Sequence, residues 1–317
     1  MTTNNDTHTT CDVLVVGGGP AGLAAALTLG RARKRVLLTD SGPRRNAAAT
    51  HVYNFLTRDG TPPDEMRRVA REQLAHYPNV AVRDVGVRAI AGEKGAFTIT
   101  LDDDRVIARR VILATGMIDE PIALEGFAAL WGRSIFQCPY CHGWEAQGGR
   151  WGVLALHPEA PHTVPFATML RGWSDDVTLY THGTSIDGEP RARLEAAGVT
   201  IETTPIARLV DGPRGLSSIA LEDGRSIACE TLFAHPHQRQ VEVVRSLALA
   251  LDDDGMLKVD PMTKETSVPG IHAAGDLATR GQGAILAAAA GMQAAAAINM
   301  ELTAALVSAG RSRESTR

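Results

Sequence analysis

Cys11-Asp12-Val13-Leu14-Val15-Val16-Gly17-Gly18-Gly19-Pro20-Ala21-Gly22 is the stretch on which the fold turns. Its first half is a short apolar run rich in valine. Its second half spaces glycines at Gly17, Gly19 and Gly22, and an alanine-rich pattern continues to residue 30, so the whole reads as strand, turn and helix. Pro20 suits the first helical turn because it has no N–H to lose there. The next apolar run, Arg35-Val36-Leu37-Leu38-Thr39, ends at Asp40. That is about 20 residues beyond the glycines, where a dinucleotide fold places an acid to hold a ribose hydroxyl. With strand, loop, helix, second strand and acid all in register, a nucleotide pyrophosphate is expected at Gly17, Gly19, Pro20, Ala21 and Gly22, on a helix N-terminus whose free N–H groups and dipole favour an anion.

Further along, Arg110-Val111-Ile112-Leu113-Ala114-Thr115-Gly116 reads as another buried strand with a small-residue ending. Gly270-Ile271-His272-Ala273-Ala274-Gly275-Asp276 repeats that style near the other end, before an alanine-rich helix over 281–297. The two ends therefore read as one discontinuous nucleotide-binding domain, 11–119 with 250–310. Residues 120–249 form a smaller inserted domain, whose strands at 151–156 and 177–180 flank a helical segment at 162–172. The expected fold is α/β with two Rossmann-like domains, and 1–10 and 311–317 are expected to be disordered tails.

A chain of 317 residues, 44% hydrophobic, supports about two domains with large cores. A formal net charge of −4 offers no basic stripe for a phosphate backbone, so nucleic acid is not expected as a partner. The N-terminal residues carry neither the basic region nor the apolar core of an export signal, and no membrane span of roughly 18 to 20 apolar residues is read. The expected compartment is the cytoplasm, and the expected partners are small molecules or proteins.

In a reducing compartment a close cysteine pair indicates redox or metal chemistry rather than a structural staple. Cys138-Pro139-Tyr140-Cys141, followed by His142, is such a pair, able to close a disulfide that accepts or delivers two electrons. Zinc would need a second Cys or His pair at ligand spacing, and Cys11 and Cys229 have no close partner in sequence, so no metal is assigned. Those two thiols read as small buried fillers. Asp102-Asp103-Asp104 and Asp252-Asp253-Asp254 read as solvated turns.

The glycine loop, Ala114-Thr115-Gly116, the CxxC and Gly275-Asp276 occur in the order and spacing of low-molecular-weight thioredoxin reductases, which the chain resembles over nearly its whole length. The resemblance implies two three-layer ββα domains, FAD in the discontinuous one, a homodimer, and a disulfide beside the flavin. It also implies that Asp276 touches the flavin phosphate or ribitol region and that Gln282 contacts the isoalloxazine. In one respect the chain departs from these reductases. They carry a second glycine fingerprint after the first strand of the inserted domain and a basic cluster after the next strand, which selects NADPH. Here those places hold Leu156-His157-Pro158-Glu159-Ala160-Pro161-His162 and Tyr180-Thr181-His182-Gly183-Thr184-Ser185-Ile186-Asp187. Two prolines and an acid replace tight glycine turns and free N–H groups, and no arginine pair follows, so NADPH is not expected to bind productively.

Cys138-Pro139-Tyr140-Cys141-His142-Gly143-Trp144-Glu145, with Asp40-Ser41-Gly42 and Arg45-Asn46, is similar to the thioredoxin-reductase-like dithiol oxidases that close disulfides in microbial natural products such as gliotoxin, holomycin and romidepsin. That resemblance implies an FAD-dependent oxidase of a small-molecule dithiol, with O2 as acceptor giving H2O2, in natural product biosynthesis and self-resistance. It makes Cys138 the thiol that exchanges with substrate, Cys141 the thiol facing the flavin, and Arg45 and Asn46 part of the cofactor site. Each attacking thiol must lose a proton, and His142, an imidazole with an ordinary pKa near ~6.5, is the expected base, with His235 and His237 as second choices. Phe136, Tyr140 and Trp144 are candidate aromatic walls for an apolar substrate. The alternatives are a protein-disulfide reductase fed by NADPH or ferredoxin and a redox-sensing flavoprotein without turnover.

Overall fold

The computed structural model describes residues 9–42 and 44–310. Most of both expected tails lies outside the described residues, but Thr9 and Thr10 already belong to the first strand, in register with Val106 and Ile107. The chain divides into two compact units. One takes the chain as far as Ala47, then Phe55–Ile118, then Arg239 onward; the other takes Ala48–Asn54 and Asp119–Gln238. The return crossing thus comes earlier than the 249/250 boundary read from the sequence, because Val243, Val244 and Leu249 bury their side chains in the first unit's core.

The first unit begins β1 (Thr9–Val16), α1 (Pro20–Arg31), β2 (Val36–Thr39), α2 (Pro63–Ala75), β3 (Val80–Arg83), β4 (Val87–Glu93), β5 (Ala96–Leu101) and β6 (Arg105–Leu113). Its seven-stranded sheet runs β3-β2-β1-β6-β5-β4, and Ile271–Ala273 joins β6 as well. The first half of β6 pairs antiparallel with β5, and its second half pairs parallel with Ile271–Ala273. Val13 through Val16 are all buried, with Val13 and Val15 on one face and Leu14 and Val16 on the other. This is why a parallel strand covered on both sides reads as a continuous apolar run rather than an alternating one.

The strand ends lie side by side. Gly17 N–H donates to Thr39 O at 2.8 Å, Ala114 N–H to Val16 O at 2.8 Å, and Ala274 N–H to Leu113 O at 2.9 Å. The fingerprint, Asp40, Ala114 and the Gly275-Asp276 turn therefore open on one carboxyl edge, where open α/β sheets hold ligands.

The expected helix over 281–297 is Ala284–Ser308. Its 25 residues are long and apolar enough, by length and composition, to cross a membrane, which corrects the expectation that no such stretch exists. Ala287, Gly291, Ala294, Ala295, Ile298 and Leu302 are buried, and a Cβ at Gly291 would collide with the carbonyl of Ala21 in α1, so the helix sits tightly on the fingerprint helix.

In the second unit five parallel strands run in the order Val199–Glu202, Asp176–Tyr180, Arg150–Leu154, Thr231–Ala234, Ile135–Phe136. Ile206–Gly212, Gly215–Leu221 and Ser226–Ala228 form an antiparallel three-stranded sheet. One core lies between the two sheets and another between the parallel sheet and its helices. The segment read as a helix over 162–172 is an α-helix at Thr163–Met169 continued by a single 3₁₀ turn at Leu170–Gly172.

Candidate functional site

In the first unit the fingerprint forms a cradle. Gly17 has φ of +109°, and a Cβ there would meet the Ala114 carbonyl; a Cβ at Gly22 would meet the carbonyl of Gly17. Only glycine allows strand, loop and helix to approach so closely. Above Gly19, the residue before the helix, the space is open for 4 Å, as a pyrophosphate seated on the N–H groups of α1 requires. Gly275, at φ +78°, comes within contact of Ala21 and so brings the second motif to the same helix end. Thr115 and Gly116 follow buried Ala114 at the mouth of β6.

Arg45, Asp276 and Gln282, distant in sequence, converge here. Arg45 Nη1 donates to Asp276 Oδ2 at 2.8 Å and to Gln282 Oε1 at 2.6 Å. Asn46, one residue on, is exposed. Asp40 is 7% exposed and already engaged. Its Oδ1 accepts the Gly42 N–H at 3.1 Å, and Oδ2 accepts from Arg67 and, at 3.5 Å, from Arg71. Sequence reading missed both arginines, although their i,i+4 spacing on α2 places them on one face. The Nε atoms of Arg67 and Arg71 are buried with no hydrogen-bond partner. Open space over the glycines, orphan donors at the Asp40 end and the Arg45 cluster at the other end fit a dinucleotide with a flavin.

In the second unit Cys138 is the N-cap of the eight-residue helix Pro139–Ala146, and Pro139 takes the first helical position. This is why the motif's proline is harmless. Cys141 comes one turn later, and the two Sγ atoms lie 2.7 Å apart, within a small shift of disulfide bonding distance. The Cys141 thiol hydrogen bond and the backbone N–H groups of Cys141 and Tyr140 pull the Cys138 thiol down to about 7 against burial. Cys138 is thus the reactive thiolate of the reduced pair. Burial instead pushes Cys11 and Cys229 up to about 12. Both are inert, as the sequence implied.

His142 does not keep the ordinary histidine pKa that the sequence assigned to it. Phe136 stacks on its ring at 4.0 Å and 7°, and Tyr53 stands nearly perpendicular at 6.3 Å. Burial pushes the imidazole down to about 4, so at neutral pH it is uncharged and can accept a proton only transiently. Its Nδ1 is buried without a hydrogen-bond partner.

Tyr140 is 61% and Trp144 73% exposed on the motif helix. Tyr140 is braced by its hydroxyl on Met169 Sδ at 3.6 Å and by Trp173 edge-on at 5.4 Å. His235 and His237 are exposed. The first lies against Phe166 at 4.8 Å, and the second pairs Nδ1 with Glu120 Oε2 at 2.9 Å. Among the described residues no group of three or more His, Cys, Asp or Glu converges to hold a metal.

A crevice at the carboxyl ends of a parallel sheet and a helix-capping CxxC define a disulfide oxidoreductase of the flavoprotein type. The chain belongs to the pyridine nucleotide-disulphide oxidoreductase family, whose model matches residues 11–156 and 164–299. It is 32% identical over 306 residues to thioredoxin reductase sirT of Leptosphaeria maculans, covering 92% of this chain and 94% of that one. Over 277 residues it is 35% identical to thioredoxin reductase tcpT of Claviceps purpurea, covering 84% and 86%. An oxidoreductase from Agrobacterium tumefaciens superposes with a TM-score of 0.86 at 38% identity, over 93% and 99% of the two chains. The crystal structure of HlmI gives 0.86 at 34%, over 94% of each. The chain is thus an FAD-dependent, thioredoxin-reductase-like oxidoreductase. The family match breaks over 157–163, the loop whose composition departed from a nucleotide fingerprint.

Proposed function

We propose that this enzyme oxidises a small-molecule dithiol of natural product type to its disulfide, drawing electrons through Cys138 and Cys141 and passing them to dioxygen. The observation that carries this reading is the 157–163 loop. Pro158 and Pro161 have no N–H to offer, and the N–H groups of Ala160 and Thr163 donate to the loop's own carbonyls at His157 (3.0 Å) and Ala160 (2.9 Å). After the next strand, His182 Nδ1 accepts the Ile206 N–H at 2.9 Å, and no arginine stands within 181–187. A pyrophosphate would meet a loop that lacks two N–H groups and holds two more in bonds of its own, which argues against a nicotinamide carrier as the electron donor.

Starting from the oxidised pair, a substrate thiolate attacks Cys138 Sγ. The Cys138–Cys141 bond breaks, a mixed disulfide forms, and Cys141 leaves as thiolate. The second substrate thiol gives its proton to the neutral His142 ring and attacks its own sulfur in the mixed disulfide, releasing Cys138 as a thiolate held by the helix N-terminus. The substrate has lost two electrons and two protons, and the pair has gained both electrons. FAD, when bound by Gly17, Gly19, Gly22, Asp40, Arg45, Asp276 and Gln282, supplies the two-electron acceptance that returns the pair to its disulfide and the delivery of those electrons to O2, giving H2O2. We further propose a cytoplasmic homodimer, with Tyr140 and Trp144 as walls toward the apolar part of the substrate.

Anaerobic titration of the FAD-loaded protein tests the reading. Bleaching of the flavin by a dithiol, with none by NADPH, supports it, and bleaching by NADPH or reduced ferredoxin moves the enzyme to the reductase alternative.

A further inference from the structure

The connection between β2 and α2 leaves its own unit. Ala48–Asn54 belongs to the second unit, although the residues on both sides of it belong to the first. It is seated there at two points. At one end Gly132, with φ of +76°, leaves room for Ala48; a Cβ on Gly132 would lie 2.6 Å from Ala48 Cβ and 3.2 Å from its backbone carbon. At the other end Tyr53 stands at 81° to the His142 ring, whose opposite constraint is the parallel stack on Phe136. One neighbour parallel and one perpendicular leave the imidazole little freedom to rotate about its ring torsion. Neither Ala48 nor Tyr53 is near His142 in sequence, and it is the strap that brings Tyr53 to the ring.

We infer that Tyr53 is a positioning residue: the Ala48–Asn54 strap holds its ring against His142, and together with Phe136 it fixes the imidazole in the orientation that takes the substrate's proton. The inference rests on the role proposed for His142, and it assigns Tyr53 no contact with substrate. Rigid placement of a proton acceptor matters because small misplacements of a reacting group slow the step it serves. The proposed clamp is the contact of the Tyr53 ring with His142, so the ring is what the variants must remove.

The test uses full-length, FAD-loaded protein in six forms: wild type, Tyr53→Phe, Tyr53→Leu, His142→Ala, and each Tyr53 variant combined with His142→Ala. Histidine-labelled NMR reads the His142 ring signal, displaced by the Phe136 stack. Quenched alkylation with mass spectrometry reads the rate at which the second thiol of dithiothreitol releases Cys138 from the mixed disulfide under anaerobic conditions, without reference to oxygen. Tyr53→Leu is expected to broaden or shift the His142 signal and to slow exchange about threefold to tenfold, the worth of one aromatic contact. Tyr53→Phe keeps both, and Tyr53→Leu adds nothing in the His142→Ala background. An unmoved His142 signal in Tyr53→Leu overturns the clamp, as does equal slowing with and without His142. If His142→Ala alone exchanges at the wild-type rate, the base assignment falls, and the NMR signal still decides whether Tyr53 holds the ring.

Discussion

Removing the Cys141 thiol, by Cys141→Ala, is the sharpest probe of how Cys138 is activated. The Cys138 thiol sits at about 7 rather than the ordinary 9.0, and the hydrogen bond from Cys141 is the largest cause. The whole displacement corresponds to about 2.7 kcal/mol in favour of the thiolate. Backbone N–H donors from Cys141 and Tyr140 survive the substitution, so only part of this is lost. An upward move of at least about one pKa unit, about 1.4 kcal/mol, is expected. Because the folded pKa is depressed, the thiolate dominates above pH 7 and is lost as pH falls through it. At pH 7 the variant's thiolate fraction then drops from about half to about a tenth, slowing alkylation roughly fivefold. The assay is iodoacetamide labelling of reduced protein against pH. Cys11 and Cys229 stay silent because they are buried and pushed up to about 12. Cys141→Ser, which keeps a donor, should fall between. A midpoint that stays near 7 in Cys141→Ala, or a wild-type midpoint near 9, would refute the reasoning.

Cys138→Ser and Cys141→Ser should each abolish turnover with dithiol while the purified protein stays yellow; normal rates in either remove the exchange scheme. Gly22→Ala, whose Cβ has no room against the Gly17 carbonyl, should yield protein without bound FAD, checked by its absorbance. Glu301→Gln takes the charge from the two-point pair with buried Arg110, at 3.0 and 2.6 Å; with Glu301 a third exposed, the change should cost about 1 to 2 kcal/mol in urea denaturation. His142 has a folded pKa of about 4 against an ordinary 6.5. As pH falls from 6.5 to 4 the unfolded chain therefore binds the proton first, and stability drops by up to about 3 kcal/mol. His142→Phe should remove that loss, and identical acid melting curves for the two proteins would contradict the burial.

The fingerprint, Asp40, the CxxC and Gly275-Asp276 were legible because each is a local pattern whose geometry is set within a few residues. The convergence of the fingerprint, Asp40 and Gly275-Asp276 on one sheet edge followed from strand order, and the CxxC belongs to the other unit. What the sequence hid is long-range. Arg67 and Arg71 reach Asp40 only because α2 folds back beside β2, and nothing around Asp40 in the chain announces them. The His142 environment depends on Phe136 and on Tyr53, which arrives by a strap from elsewhere, so an ordinary histidine pKa was the natural reading and burial changed it. The alternation in Phe97-Thr98-Ile99-Thr100-Leu101 did carry the signal of β5, with Phe97, Ile99 and Leu101 buried. Val243 and Val244 gave no sign of which core would take them.

A CxxC on a helix N-terminus does not by itself choose a direction for its electrons. Thiol–disulfide exchange is reversible, and the depressed pKa of Cys138 makes it both a good nucleophile toward a disulfide and a good leaving group from one. Direction is set by which redox partner the rest of the fold can hold. An NADPH-fed reductase would need a second dinucleotide on the inserted unit, and so a loop with spare N–H groups, whereas residues 157–163 include two prolines and bond the Ala160 and Thr163 N–H groups internally. The first unit, by contrast, keeps its glycines, its open space and its orphan arginine donors. Keeping one cradle and filling the other is what supports the proposal that electrons enter through sulfur. Restoring glycines at Pro158 and Pro161 should therefore not by itself create NADPH-driven reduction, because no arginine pair within 181–187 would hold the second phosphate. NADPH oxidation by that double variant would show that the loop alone sets the direction.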